Sequence, residues 1–447
     1  MTLRNARIKR RRVVQTAAAA VVLPWVHIRT AGAAGKLTVA LWDHWVPKAN
    51  DVMRAQLNAW GEANKVDVQV DFITSVGNKL LLTGAAEAQA KAGHDIMTFR
   101  DWEAQNHAEA LEPVDGLMKR LVERLGAVND VSAYLAKRGG SWRAIPTTYG
   151  SNYKGPCARI SVLKEKAGLD VQAMFPAEPR LTKEAAGWTW DAHLKAAEAC
   201  HKAGMPFGIG LGTTVDSVDT AGALFRAHGA ELVNAKGEIT VDSDPVRQVL
   251  EHAQQLVRYL PADAVSYDDA SNNRALIANR TALIWNPPSA LAVAKRDAPA
   301  IAEDCWCFPA PKGPKGRYTP AGPWFWGVWS FAQNASAAKD LIMHLMQRDP
   351  SEERVVASQG FDVPPYHNML DFPIWAEIGP PTGTLYSYPA RPFHDGIAAI
   401  AGAPAPPEIG VQIYARGVMP SMLARLRSGQ TIRQVTDWAK HELEGFR

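Results

Sequence analysis

The chain has 447 residues, of which 47% are hydrophobic and 21% charged, close to the proportions of an average soluble globular protein. The formal net charge is +4, but residues 1–34 carry seven positive charges and no acid, which leaves −3 on residues 35–447. A mildly acidic body lacks the electrostatic footprint of a protein that binds nucleic acid or anionic lipid.

Residues 1–34 have the pattern of a cleaved export leader. Arg10–Arg12 precede an uncharged run over 13–26, and small residues at 31–34 offer an A-x-A cleavage site. The uncharged run is too short and too weakly apolar to span a bilayer as a stable helix. The arginines followed by two valines resemble a twin-arginine signal. Because no cysteine follows the cut, we expect a periplasmic protein without a lipid anchor; the alternative is a basic arm on a cytoplasmic protein.

The first hundred residues alternate predicted strands with predicted helices. Apolar or alternating runs indicate strands at 36–42, 66–73 and 95–99. Helical spacing of apolar residues indicates helices that start after an N-cap at Asn50 or Asp51 and at Gly77. This alternation predicts a parallel α/β sheet with crossover helices on its faces. Ligands of such sheets lie beyond the carboxyl ends of the strands.

The middle of the chain is rich in predicted helices. Thr189 is a candidate N-cap for the first of them, and we interpret Asp216 as the N-cap of another, with a ligand contact as the alternative. Strands are predicted at 281–285 and 324–331, separated by a Pro/Gly-rich connector at 310–323. The predicted helices, including these two, span 192–203, 216–228, 244–260, 335–347 and 432–445.

The four cysteines are too few for a scaffold built on disulfides. Cys305 and Cys307 lie two apart on one face of a strand-like stretch, where a bridge between them would be strained, and a pairing of Cys157 with Cys200 stays open. A CxC pair with two scattered cysteines is a poor zinc pattern, so we expect no metal. Gly208–Thr213 mimics a dinucleotide loop without its last glycine or an immediate helix, and no cofactor is expected.

Residues 35–447 exceed the roughly 250–300 residues at which one hydrophobic core stops growing, so at least two lobes are expected. Nearly all of this length resembles the family 1 extracellular solute-binding proteins, the periplasmic receptors of ATP-binding-cassette (ABC) importers, of the carbohydrate-binding kind. The resemblance lies in the order and spacing of short motifs, which are Trp42–Trp45, Asp95–Phe99, Ala144–Tyr149, Trp188–Asp191, Gly222–Glu231, Asn234–Thr240, Pro309–Gly313, Gly322–Trp326 and Gly360–Pro365. The chain departs from the family where Ala192 follows Trp188–Asp191 in place of a glutamate.

The resemblance implies an α/β fold of the two-lobed periplasmic-binding-protein type (type II), with a ligand cleft between hinge-linked lobes. The N-terminal lobe would comprise 36–148 plus 289–335, and the C-terminal lobe 149–286 plus 338–447. Crossings are expected near Tyr149–Asn152, Asn286–Ser289 and Gln333–Ala338. The implied function is capture of a sugar or polyol by a monomer that delivers it to the membrane permease subunits of an importer.

Candidate ligand contacts are aromatic and polar residues at predicted strand ends and crossings. Sugar rings offer C–H faces that pack on indoles and hydroxyls that need hydrogen-bond partners, so tryptophan beside Asp, Asn or His suits them. Alternation places Trp324 and Trp326 on one face of their strand. The full set of candidates is Trp42, Asp43, His44, Trp45, Asp101, Trp102, Tyr149, Asn152, Trp285, Asn286, Trp324, Trp326 and Asp362.

Two other functions stay open. An exported carbohydrate-active hydrolase would need two carboxylates facing each other across the cleft, for instance Asp43 or Asp101 with Asp362. A receptor for a non-sugar solute such as a polyamine could use Trp45 with Asp43 and Asp101 through cation–π contact. No catalytic motif favours an enzyme, because the chain has neither a Gly-x-Ser-x-Gly elbow nor a Walker loop.

Overall fold

The computed structural model describes residues 35–150, 153–176, 182–377 and 396–446. The predicted leader and Asn152 lie outside these ranges. The strands of the described residues are β1 (Lys36–Trp42), β2 (Asp67–Ile73), β3 (Ile96–Arg100), β4 (Lys137–Arg138), β5 (Ser141–Trp142), β6 (Ile145–Pro146), β7 (Cys157–Arg159), β8 (Leu283–Ile284), β9 (Cys305–Cys307), β10 (Lys312–Gly313), β11 (Gly316–Pro320), β12 (Trp324–Val328) and β13 (Gly396–Ala399).

The α-helices of the same ranges surround these strands. They are α1 (Pro47–Asn64), α2 (Lys79–Ala90), α3 (Glu103–Asn106), α4 (Asp115–Leu125), α5 (Asp130–Ala136), α6 (Ile160–Ala167), α7 (Val171–Met174), α8 (Trp190–Lys202), α9 (Val215–His228), α10 (Asp244–Leu256), α11 (Ser271–Ile277), α12 (Pro287–Asp297), α13 (Pro299–Ala302), α14 (Ala335–Leu345), α15 (Arg348–Ala357), α16 (Ile374–Glu377), α17 (Pro407–Ala415), α18 (Val418–Arg427) and α19 (Ile432–Glu444).

The first sheet has the strand order β2-β1-β3-β12-β6. β1, β2 and β3 are parallel, whereas β12 runs antiparallel to both β3 and β6. β1 is buried over most of its length, as expected for a strand covered on both faces, and the edge strand β2 alternates half-buried and exposed residues. Because β12 is antiparallel, its first residue lies at the same edge as the last residues of β1 and β3.

A second group of elements forms around two three-stranded sheets of order β8-β7-β9 and β10-β11-β13. β7 pairs antiparallel with both of its neighbours, and β11 runs parallel to β13. α9 packs on β11 and against α10 and α18, so it forms the centre of this group. Nearly every residue of α9 between 217 and 227 is buried for that reason.

The strand pairings differ from the predicted division into lobes. β9 and β11 fall within 289–335, which we assigned to the first lobe, yet they pair with β7 and β13 of the second group. α14 and α15, assigned to the second lobe, pack on α1. The chain therefore leaves the first sheet after β6 and returns to it at 321–323, before β12, rather than near Asn286 or Gln333.

Some helix ends and connectors agree with the local sequence signals, and others differ from them. α1 begins at Pro47, three residues before the predicted cap, because proline suits the first helical position. Thr189 caps α8 as predicted, with its side chain accepting a hydrogen bond from the N–H of Ala192. The N-cap of α9 is Thr214, so the interpretation of Asp216 as a cap is wrong. The predicted connector at 310–323 contains β10 and β11.

All four cysteines are buried, and Cys157 and Cys200 are free thiols. Cys157 lies opposite Cys307 in the register of β7 and β9, whereas Cys200 lies on α8 in a different hydrophobic cluster, so the open pairing of Cys157 with Cys200 is not formed. No three His, Cys, Asp or Glu side chains group to hold a metal ion within the described ranges. None of the helices described there is long and apolar enough to cross a membrane.

Candidate functional site

Two adjoining cavities lie where the first sheet meets the second group. The smaller, here the aromatic cavity, is lined by Trp42, Trp45, Ser75, Arg100, Lys154, Asp216, Asp269, Asn286, Ser289, Trp324 and Phe361. The larger, here the outer cavity, has a volume of about 400 Å³. Ser75 and Arg100 line both, so the two form one continuous cleft. Its walls come from both groups of elements.

Stacked indoles form one wall of the aromatic cavity. Trp42 at the end of β1 and Trp324 at the start of β12 stack with ring centroids 4.5 Å apart and planes 28° apart. Phe361 adds a third ring 5.9 Å from Trp42, and the guanidinium of Arg100 lies 5.2 Å from the Trp324 ring. The meeting of the strand ends at one sheet edge places these rings together, as expected for a parallel α/β sheet.

A buried lysine opposes this wall. Nζ of Lys154 lies 2.8 Å from Oδ2 of Asp219 and 3.2 Å from Oδ1 of Asp216. Burial by itself would lower the pKa of Lys154, but these two carboxylates raise it above its ordinary value, so the lysine stays charged. Asp216 also accepts hydrogen bonds from the amides of Asn272 and Asn286.

Arg100 and Asp101 form the junction of the two cavities. Nε of Arg100 lies 3.0 Å from Oδ2 of Asp101. Asp101 has a φ of 50°, in the left-handed region that costs a non-glycine residue about 1 kcal/mol or more. Its N–H donates to the carbonyl of Pro323, which fixes the strained turn against the segment that returns to the first sheet. This hydrogen bond therefore holds Asp101 in its strained conformation, with the carboxylate at the edge of the cleft.

The crossing after β6 is held from behind the aromatic wall. Oδ1 of Asp362 accepts the N–H of Gly150 at 2.6 Å and lies 3.1 Å from Nε2 of His44. Nδ1 of His44 accepts the N–H of Val46, so Nε2 carries the ring proton and donates to Asp362. His44 and Asp362 are both buried. They support the crossing and line neither cavity.

Gly150 and Tyr149 complete this support. Gly150 has a φ of 117°, and a Cβ built there would lie 2.3 Å from Cδ1 of Trp324, so only glycine lets the crossing pass behind that indole. The hydroxyl of Tyr149 donates to Oδ1 of Asn50 at 2.5 Å. Burial, and then the charge of Asp362, raise the pKa of Tyr149 above its ordinary value, which keeps this donor protonated.

The structure divides the residues predicted from the sequence. Trp42, Trp45, Asn286 and Trp324 line the aromatic cavity, and Asp101 and Trp102 line the outer one. Whether they contact a ligand stays a prediction. The rest of the described candidates line neither cavity: Asp43 is exposed and accepts from Asn50, and the others are buried, which are His44, Tyr149, Trp285, Trp326 and Asp362.

Two buried tryptophans show that a position near a predicted strand end does not by itself place a side chain in the cleft. Trp285 stacks on Trp190 at 5.5 Å with planes 7° apart, in the core of the second group. Trp326 shares a face with Trp324 but lies two residues, roughly 6.5 Å, further from the sheet edge, and it is fully covered. Whether a tryptophan of β12 lines the cleft therefore depends on its distance from the sheet edge as well as on the face of the sheet to which it belongs.

The charged half of the cleft is absent from the candidates predicted from the sequence. Arg100, Lys154 and Asp269 carry no motif, and the sequence pattern favours a cap for Asp216. The one usable signal was the position of Arg100 at a strand end, next to the predicted Asp101. Lys154 is held in the cleft by Asp216 and Asp219, which lie 62 and 65 residues away along the chain.

Comparison with known proteins agrees with this architecture. Residues 47–346 match the profile of the bacterial extracellular solute-binding proteins, over more than half of the chain. The chain belongs to this family. No curated protein matches the chain at significant similarity.

Solved structures extend the likeness of this solute-binding protein to its full fold. A maltose-bound MalE3 of T. maritima covers 93% of this chain and 100% of its own at 17% identity, with a TM-score of 0.71. A tagatose-bound solute-binding protein of Thermotoga lettingae TMO (92% and 100% covered, 17% identity) and a laminaribiose-bound sugar transporter of Arthrobacter chlorophenolicus A6 (92% and 99%, 14% identity) both have TM-scores of 0.69. The fold is the two-lobed, maltose-binding type.

We predict that Asp362→Ala destabilises the protein by about 2–4 kcal/mol, because it leaves the buried donors of Gly150 and His44 without an acceptor. Asp362→Asn keeps one oxygen and recovers part of the loss. The shift of the urea unfolding midpoint measures both. The control Asp371→Ala, on an exposed pair with Arg348, should stay within about 0.5 kcal/mol. Equal midpoints for Asp362→Ala and the control would refute the assignment.

Proposed function

We propose that this protein captures a sugar or polyol in the aromatic cavity between its lobes and delivers it to the permease of an ABC importer. The observation that carries the proposal is the stacked pair Trp42 and Trp324 beside polar groups of both lobes, all lining one cavity. Solute-binding proteins of the same fold with bound maltose, tagatose and laminaribiose support it.

The chemistry of the cavity suits a polyhydroxylated ring. Indole faces pack on the apolar C–H face of a sugar. Hydroxyls removed from water need partners, and the carboxylates of Asp216 and Asp269 can accept while the amide of Asn286 can do either. A wall of rings opposite a wall of charged and amide groups thus addresses both faces of the solute.

Binding would bring the lobes together. Trp42 and Trp324 belong to the first sheet, whereas Asp216 and Asn286 belong to the second group. A solute that contacts both sets gains contacts only in the closed form, so its binding shifts the population of hinge conformations toward closure. The closed monomer is then the species that docks on the permease.

A hydrolase is disfavoured by the placement of the carboxylates. Asp362, one partner of the pair considered above, is buried behind the crossing and bonds to Gly150 and His44. Asp43 lines neither cavity. Both oxygens of Asp216 are already engaged, Oδ1 by Lys154 and Oδ2 by the amides of Asn272 and Asn286. We therefore propose binding without turnover.

We predict that a mono- or disaccharide or a polyol raises the melting temperature of residues 35–447 and quenches or shifts their tryptophan fluorescence. Saturation at about 100 times Kd adds about 2.7 kcal/mol to the stability. A thermal-shift panel of sugars, polyols and polyamines measures the effect. Hits confined to polyamines would replace the sugar by a cationic solute, and release of reducing sugar over time would point to the hydrolase.

Trp324→Ala should weaken binding of any sugar found in this panel roughly tenfold or more, because it removes half of the stacked pair. Isothermal titration calorimetry measures the affinity, and circular dichroism checks that the variant is folded. Trp438→Ala is the matched control, since this tryptophan lies on α19 and lines neither cavity. Unchanged affinity in Trp324→Ala would remove this strand end from the site.

We also propose that residues 1–34 are a cleaved leader, of twin-arginine type, and that the protein works in the periplasm without a lipid anchor. The basic start, uncharged run and small-residue end support this. N-terminal sequencing of the exported protein should find a start near Gly35, and replacement of Arg10 and Arg11 by lysine should block export. A periplasmic protein that retains residues 1–34 would contradict the cleavage.

A further inference from the structure

Two carboxylate oxygens of the cleft have no hydrogen-bond donor within the described part of the chain. They are Oδ1 of Asp101 and Oδ1 of Asp269. Asp101 is only 2% exposed and lines the outer cavity, and Asp269 lines the aromatic one. A buried acceptor without a donor costs about 1–3 kcal/mol, and more when it is charged. These two oxygens are therefore the places where a ligand can supply what the protein does not.

The charges around the cleft leave an excess of acid. Arg100 is paired with Asp101, and Lys154 is shared by Asp216 and Asp219. Asp269 has no basic partner among the described ion pairs. In the outer cavity Glu103 accepts the N–H of Arg100, and Arg416 pairs with Glu442. The described groups thus leave unmatched negative charge beside the aromatic wall.

The surroundings of Asp269 favour a positive partner. Burial, and next the charge of Asp216, raise the pKa of Asp269 above its ordinary value against the opposing effect of Arg100 and Lys154, so its ionised form gains from a further cation. Trp42, Trp45, Trp324 and Phe361 line the same cavity. Aromatic faces attract an ammonium group through the ring quadrupole. Carboxylate and rings together form a site for an organic cation.

We propose that the preferred solute is a sugar that carries a protonated amine. Its ammonium donates to Oδ1 of Asp269 beside the rings, and a hydroxyl or a further N–H donates to Oδ1 of Asp101. The sugar ring packs on Trp324. This inference rests on the proposed function and narrows it from sugars and polyols to basic sugars.

Sugars that differ only in the group at the 2-position test whether the charge of the amine is recognised. Glucose, galactose and mannose are each compared by calorimetry with their 2-amino and 2-acetamido forms and with the corresponding disaccharides, at a pH where the amine is protonated. We expect at least one amine to bind tenfold or more tightly than both its hydroxyl and its acetamido counterpart. Raising the ionic strength should reduce this preference, since salt screens the ionic contact.

Asp269→Asn should bring the preference for the amine close to one, because the side chain keeps its size but loses its charge. Asp101→Asn should lower it less. The matched control is Asp268→Asn, whose exposed carboxylate bonds to Ser271 and Arg274 and lines neither cavity; it should keep the full preference. A preference unchanged in Asp269→Asn would overturn the proposed contact.

The possible results of these experiments distinguish the basic-sugar proposal from the proposal of a sugar receptor. Binding of neutral sugars with no gain from an amine overturns the basic-sugar proposal and leaves the sugar receptor standing. Binding of spermidine with no sugar of any kind overturns both. Failure of every compound to bind also overturns both. Binding of the amine form lost in Asp269→Asn and kept in Asp268→Asn supports both.

Discussion

The hydrogen bond from the N–H of Gly150 to the carboxylate of Asp362 sets the geometry on which the cleft depends. It holds the backbone of the crossing against the indole of Trp324, at a distance that excludes any side chain on residue 150. His44 donates to the same oxygen and so ties the end of β1 to the crossing. The buried carboxylate of Asp362 therefore positions Trp42, the crossing after β6 and Trp324 relative to each other. Because interiors are close-packed, a small shift at Asp362 would be passed directly to the stacked pair.

The charged side of the cleft is organised on a different principle. Lys154 follows the crossing and reaches two aspartates one turn apart on α9, so the helix spacing presents both carboxylates to a single ammonium. Burying such a cluster stabilises little by itself, since desolvation offsets much of the attraction. Its contribution is to fix direction: Asp216 is left with one edge toward Asn286 and the cavity. The hydroxyl of Tyr414 occupies the other oxygen of Asp219.

Much of the fold followed from patterns that are local in the sequence. The alternation of β1 to β3 with their helices, the cap at Thr189 and the resemblance to solute-binding proteins all depend on short stretches. The lobe boundaries did not follow, because β9 and β11 are three to five residues long and find their partners in β7 and β13, far away along the chain. Only part of the candidate site was predicted from the sequence, for the same reason. Trp42, Trp324 and Asp101 stand at strand ends that the sequence marks, whereas Lys154 and Asp269 reach the cleft only through tertiary packing.

The aromatic wall and the polar groups of the cleft contribute differently to its selectivity for a solute. The aromatic wall comes from the sheet edge, where any fold of this type gathers its strand ends, and stacking on a ring discriminates little between sugars. The polar groups that already have partners, such as Asp216 with its lysine and amides, also add little discrimination, because their donors are satisfied before a solute arrives. Discrimination falls to the atoms left without partners, since a solute lacking the matching donor leaves them buried and unpaired. In the described cleft those atoms are Oδ1 of Asp101 and Oδ1 of Asp269, so under the basic-sugar proposal the charge and donor count of the solute, more than its ring shape, decide what is bound.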